Sequence, residues 1–118
     1  MSTLTDPEVL FCYRNALCNW KYDGYVVYMK DAAEGLRRYL VGFSQKGFKE
    51  VLYQFVDSGG EIDQVVELRE NWRDKWLHHY DLRPLIDGVK IYVETRLIYT
   101  KPSDPDDPVI FLANIKPA

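Results

Sequence analysis

The chain is poor in the residues that build metal and cofactor sites. It holds two cysteines and two histidines in 118 residues. Cys12 and Cys18 make no CxxC pair, and no Cys/His cluster has zinc spacing. Both fall in one predicted helix, where six residues span ~9 Å. A disulfide needs Cα atoms within ~7 Å, so two free thiols and a reducing compartment are expected. Nothing nearby marks either thiol as a lowered-pKa thiolate, so both read as small buried apolar residues. No stretch approaches ~18 consecutive apolar residues, so no membrane partner is expected. The first residues lack a basic start followed by an apolar run, and a cytoplasmic location is expected. There is no Gly-rich phosphate loop, nucleophile elbow or paired-carboxylate spacing, so neither a cofactor nor a metal is expected. A basic excess is missing too. The net charge of −3 counts against a strongly electrostatic nucleic-acid binder and leaves room for a local basic patch.

What is present fits one domain over residues 1–118. Apolar residues make up 47% and charged residues 28%, ordinary values for a globular protein. Aromatics reach 14%, nine of them Tyr. A Tyr-rich protein often has half-buried grooves or partner faces, although sheet rims take the same residues.

Thr5-Asp6-Pro7-Glu8 reads as a helix start, with Thr5 as cap and Glu8 closing a capping box. Val9, Tyr13, Leu17 and Trp20 then recur at helical spacing, predicting a helix from about Asp6 to Asn19. Asp23-Gly24 is a turn, and Tyr25 to Met29 suggests a short strand. Asp31 to Leu40 is ambiguous, with a helical face but a Gly35 that costs ~1 kcal/mol relative to Ala. Ser44 caps a clear amphipathic helix carrying Phe48, Val51, Leu52, Phe55 and Val56, which Gly59-Gly60 ends. Glu61 to about His79 reads as a longer charged helix with Trp72 and Trp76 as core or partner-facing anchors. Asp87-Gly88 is a turn. From Val89 to Thr100 the residues alternate, with Tyr92, Glu94 and Arg96 on one face and Ile91, Val93, Thr95 and Leu97 on the other. That is a strand. Lys101 to Pro108 is a Pro/Asp loop, and Val109 to Ile115 is a second strand pairing antiparallel with the first. The expected fold is α+β, with helices packed on a small antiparallel sheet that ends in a C-terminal β-hairpin.

Four groups of residues invite a chemical reading. His78 and His79 are the only histidines, the residue type whose unperturbed pKa lies near neutrality, so one of them is the default proton-transfer group; the rival reading is two histidines complementing a helix C-terminus. Asp104, Asp106 and Asp107 lack a turning Gly and a distal Glu, and read as a solvated turn rather than a cation cage. Arg37, Arg38, Lys46 and Lys49, interleaved with Tyr39, Phe43 and Phe48, form a patch able to hold a phosphate backbone and stack a base, or else a charged outer face. Trp72 and Trp76 are the fourth group.

The run Val41-Gly42-Phe43-Ser44 with Phe48 resembles a segment of the MqsR-like mRNA interferase toxins, in which a helix opens after a Gly-hydrophobic-Ser step. His79-Tyr80-Asp81-Leu82-Arg83-Pro84, Gly88, the strand Lys90-Ile91-Tyr92-Val93 and the ending Val109 to Lys116 are similar to that family's Arg-Pro turn, Tyr-bearing strand and last strand. The resemblance covers roughly residues 41 to 116. It implies a RelE-like fold, metal-independent RNA cleavage, and an antitoxin that binds and silences the protein. Its strand Tyr falls on Tyr92 and its terminal Lys on Lys116. His79 stands where the family has Gln, and Glu50 where it has a helix Lys, with Lys49 the nearest substitute. Cleavage that uses the neighbouring 2′-OH needs a base, an acid and positive charge on the phosphorane. His79, Tyr92 and Lys116 are the expected catalytic residues, and Lys49, Arg83, Arg37 and Arg38 the expected RNA-binding ones. The rival expectation is a non-catalytic domain that holds a protein partner on its Tyr/Trp-rich surface. A small-ligand module is the third.

Overall fold

A computed structural model describes residues 2–99 and 108–118, with Tyr99 described by its backbone alone. Asp6, not Thr5, caps the first helix. Its carboxylate accepts hydrogen bonds from the amides of Glu8 and Val9 at 2.9 and 3.2 Å, and Pro7 takes the first helical position, where its missing N–H costs nothing. The helix, α1, runs Pro7–Cys18. The ambiguous segment is helical, α2, over Lys30–Tyr39. Ser44 caps α3, Gln45–Asp57, by accepting from the Gly47 amide. Gly59 ends that helix at φ 96°, a left-handed conformation that only glycine adopts without strain.

The sheet is larger than expected and mixed rather than purely antiparallel. Its strands are β1 (Ser2–Thr3), β2 (Val26–Tyr28), β3 (Ile62–Val66), β4 (His78–Leu82), β5 (Leu85–Ile86), β6 (Val89–Tyr99) and β7 (Pro108–Pro117). They run in the order β1-β3-β4-β6-β7-β2, with β5 attached to β6. The expected β6–β7 pair forms antiparallel from Ile91 to Tyr99, with a register shift between Glu94 and Thr95, and β2 adds to β7 in parallel. The Lys101–Asp107 part of the loop, with its three aspartates, and Thr100 lie outside the described residues.

The predicted helix over Glu61 to His79 does not exist. In its place stand β3, a single helical turn α4 (Glu70–Arg73) and the start of β4. Ile62, Val65 and Val66 satisfy helical spacing and strand preference alike. Pairing decides between them: β3 takes Ser2 and Thr3 on one edge and all five residues of β4 on the other. A β-branched pair gains more on a pleated, half-buried surface than on a solvated helix.

Alternation then assigns the two faces. Tyr80, Leu82, Val93, Thr95, Leu97, Ile110, Leu112 and Ile115 are buried with Tyr13, Leu17, Leu36, Phe48 and Leu52 of the three longer helices. A polar chain threads this core. The Tyr13 hydroxyl lies 2.8 Å from the Thr95 hydroxyl, which donates to the Tyr80 carbonyl at 2.7 Å. Burial raises the Tyr13 phenol, with the Thr95 hydrogen bond opposing and the charges of Asp81 and Tyr80 adding. Helix α2 sits so close to β7 that a Cβ at Gly35 would overlap the Ile115 carbonyl oxygen. Gly35 is therefore a packing requirement, not a weak point of the helix. No helix among the described residues is long and apolar enough to cross a membrane.

Candidate active site

The opposite face of the sheet carries the chemistry. His79 and Asp81 of β4, Tyr92 and Glu94 of β6, and Asn114 and Lys116 of β7 share it by alternation and register, since Asp81 pairs with Glu94, Glu94 with Asn114, and Tyr92 with Lys116. Arg83 follows β4. The Asp87-Gly88 turn, with φ 50° and 81°, folds β5 back onto β6 in a two-residue hairpin that favours such residues. Residues Arg69, Arg83, Tyr92, Glu94, Asn114 and Lys116 line an open groove of about 500 Å³.

Tyr92 is its centre. The Arg83 guanidinium and the Lys116 ammonium each lie 5.4 Å from its ring centroid, within cation–π reach. Its hydroxyl donates to Glu94 Oε1 at 3.2 Å. Burial raises the Tyr92 phenol well above its ordinary value, and the negative charges of Asp81 and Glu94 add to it. Tyr92 therefore holds its proton at neutral pH and is a donor, not a base. His79 Nδ1 lies 2.8 Å from Asp81 Oδ1, a carboxylate–imidazole pair that fixes the ring. Among the described residues Lys116 forms no ion pair and is exposed. Arg83 is paired with Asp63 across the sheet.

Beneath the groove lies a buried ionic network that the sequence reading missed. Arg96, 0% exposed, donates to Glu67 Oε2 at 2.8 Å and lies 2.9 Å from Glu94 Oε2. Arg69 donates to both Glu67 oxygens and to Glu94 Oε2. Trp72 and Trp76, tilted against each other at 5.3 Å, cap the Arg96 guanidinium at 5.1 and 5.8 Å. The two tryptophans are thus half-buried over Arg96 rather than forming a helical core stripe. The hydrogen bond from Arg69 holds the Glu67 carboxyl at about 2. Burial opposes ionisation of Glu94, but the Arg69 hydrogen bond and the charges of Arg96 and Arg69 outweigh it and keep it below its ordinary value.

Of the expected site residues, Tyr92, Lys116 and Arg83 share the groove, and His79 stands beside it through Asp81 and Glu94. His79 is on a strand, so the helix-dipole reading of the histidine pair fails; His78 and His79 point to opposite faces. Arg38 lies on α2 in a depression that adjoins the groove across β7. Arg37 is exposed and lines neither. Lys49 is elsewhere, 6.0 Å from the Tyr28 ring, in a depression with Gln45 at the β2 edge. Desolvation lowers the Lys49 ammonium, with Asp23 opposing and Lys46 adding. Cys12 is buried as expected, but Cys18 is exposed.

His79, Asp81 and Glu94 also place three ligand atoms within 4.8 Å of one another. Strand pairing alone creates this group, so no sequence spacing could announce it. Two guanidiniums already occupy Glu94 Oε2, which supplies there the positive charge that a cation would bring. No family model, curated protein or solved structure matches the chain.

Proposed function

We infer that the protein is a metal-independent endoribonuclease, and that its sheet groove cleaves single-stranded RNA. The observation that carries this reading is the environment of Tyr92. A phenol held protonated by burial and two carboxylates has two cations over its ring, near an imidazole–carboxylate pair. Those are the three things that 2′-OH transesterification needs: a base, an acid and charge for the phosphorane.

In the reaction, the 2′ oxygen attacks the adjacent phosphorus and its proton passes to His79, whose imidazolium Asp81 stabilises. The P–O5′ bond breaks, and the leaving 5′ oxygen takes the Tyr92 proton. The products are a 2′,3′-cyclic phosphate and a 5′-hydroxyl. Lys116 and Arg83 face the non-bridging oxygens. Glu94 holds the Tyr92 hydroxyl, and Arg69 and Arg96 hold Glu94. The resemblance to the MqsR-like toxins supports the same reading and extends it to a toxin in the cytoplasm, silenced by an antitoxin partner, on a RelE-like scaffold.

The test is expression of wild type beside His79→Ala, Tyr92→Phe and Lys116→Ala, following growth and total RNA, with purified protein assayed on RNA in excess EDTA. Cleavage that survives EDTA, leaves cyclic-phosphate ends and falls in all three variants is the expected result. Cleavage that EDTA abolishes would transfer the chemistry to a cation at His79, Asp81 and Glu94. Four equally harmless proteins that leave RNA intact would remove the nuclease reading and favour a protein-binding domain.

A further inference from the structure

The groove does not stop at β7. Strand β2 pairs with β7 only as far as Leu112, so among the described residues the edge of β7 from Asn114 onward has no strand beside it. Along that edge lies a second depression of about 220 Å³, lined by Asp31, Glu34, Arg38 and Tyr39 of α2 and by Asn114 and Lys116. Asn114 and Lys116 belong to both hollows. The two form one track that bends around the end of β7 over a shared ammonium.

We propose that this edge depression is a second nucleotide subsite, in which single-stranded RNA with its reacting phosphate at Tyr92 crosses Lys116 and lays a neighbouring base on Tyr39. The proposal rests on the nuclease reading of the groove and adds to it a specificity-determining platform. Tyr39 is 45% exposed, and the Arg38 guanidinium lies 5.6 Å from its ring. The ring thus has a cation within reach and nearly half of its surface open, features that single-strand binders use to stack bases without pairing them. Lys116 is placed to neutralise the phosphate between the two nucleotides. The carboxylates of Asp31 and Glu34 set the direction of the strand. They repel phosphate, so the backbone keeps to the Lys116 side and the base takes the α2 side. They accept hydrogen bonds, so a base with an exocyclic amine is favoured over uracil, whose pairing edge places its one donor between two carbonyls.

Binding is measured by fluorescence anisotropy with a fully 2′-O-methylated RNA hexamer, whose blocked nucleophile separates binding from cleavage. Tyr39→Ala is expected to weaken the complex roughly 5- to 150-fold, the loss of one stacked base. Tyr39→Phe, which keeps the plate, retains wild-type affinity. An abasic residue at one position of the hexamer removes the difference between wild type and Tyr39→Ala. Circular dichroism melting checks that both variants fold. Unchanged affinity in Tyr39→Ala, with loss in Lys116→Ala, would overturn the edge subsite and leave the nuclease reading standing. A wild-type protein that neither binds the hexamer nor cleaves its 2′-hydroxyl counterpart would sink that reading, and the subsite with it.

Discussion

Replacing Arg96 by Met is the most informative perturbation of stability. Arg96 is 0% exposed, and its Nη2 serves Glu67 and Glu94 at 2.8 and 2.9 Å. Its Nη1 reaches the Thr95 carbonyl at 3.3 Å, and its Nε has no hydrogen-bond partner among the described residues. The side chain is thus incompletely satisfied, and its worth lies in the two carboxylates it neutralises. Met keeps the volume under Trp72 and Trp76 but leaves those carboxylates, 1% and 8% exposed, with Arg69 as their one remaining ion-pair partner among the described residues and, for Glu94, the Tyr92 hydroxyl. Removing one partner of a buried pair costs ~3–5 kcal/mol. Arg69 still holds both carboxylates, so the lower end applies, and the stacking lost from the tryptophans adds ~1–2 kcal/mol. Against a total of ~5–15 kcal/mol the loss is large, and at this chain length it lowers Tm by roughly 10–20 °C. Urea and thermal unfolding measure it. The triple variant Arg96→Met with Glu67→Gln and Glu94→Gln removes the orphaned charges and is expected to recover much of the loss. A single variant that melts within a degree or two of wild type, or a triple variant less stable than the single, would refute the view that these carboxylates need the buried guanidinium.

Other expectations follow from the same coordinates. The Glu67 carboxyl falls from 4.5 to about 2 on folding, so its stabilisation is complete above the unfolded value and is lost as pH drops from about 4.5 to about 2; Tm measured across that window declines less steeply in Glu67→Gln. Gly35→Ala gains ~1 kcal/mol of helix propensity but drives a methyl into the Ile115 carbonyl, a clash worth ~1–3 kcal/mol or more, so the urea midpoint falls rather than rises. Tyr92→Phe keeps the ring with its two cations and removes only the proton donor, so it folds as wild type while RNA cleavage falls ~10²–10⁴-fold; cleavage at the wild-type rate would take Tyr92 out of the reaction.

The sequence made some of this legible and hid the rest for definite reasons. Helices α1 and α3 announced themselves by apolar spacing and by Pro7 and Ser44, because local chemistry decides a helix end. Helix α2 stayed ambiguous in the sequence, because Gly35 argues against a helix until its packing on β7 is seen. Strand β6 was legible because period two leaves no helical alternative. The segment 61–79 was not, since Ile62, Val65, Val66, Trp72 and Trp76 meet helical spacing while their real partners, Ser2, Thr3 and β4, are distant in sequence. The same cause hid half of the site. Tyr92 and Lys116 could be placed together as soon as β6 and β7 were paired. Glu67, Arg69 and Asp81 could not: Glu67 and Arg69 follow β3 and Asp81 lies on β4, and the helix reading had put β3 and the start of β4 into a helix. One signal was present: Tyr92, Glu94 and Arg96 at period two put a phenol, a carboxylate and a guanidinium on one face of a strand whose other face is buried. An acid and a base two residues apart in a sheet interior need partners, so such a face demands a covering network.

That demand explains why so acidic a chain can carry a cationic groove. The open face balances its ions in layers. Arg96 and Arg69 are committed to Glu67 and Glu94, and Arg83 is paired with Asp63. Those pairs fix the side chains and leave little net field. Lys116 alone among the cations of the groove has no carboxylate within ion-pair distance among the described residues. On the proposed nuclease reading, an incoming phosphate would meet one uncommitted ammonium, Lys116, beside the Tyr92 phenol. Affinity built this way is modest and depends weakly on salt, since few counterions are released. On that reading, selectivity is expected to rest on stacking and hydrogen bonds in the two hollows rather than on the overall charge of the protein.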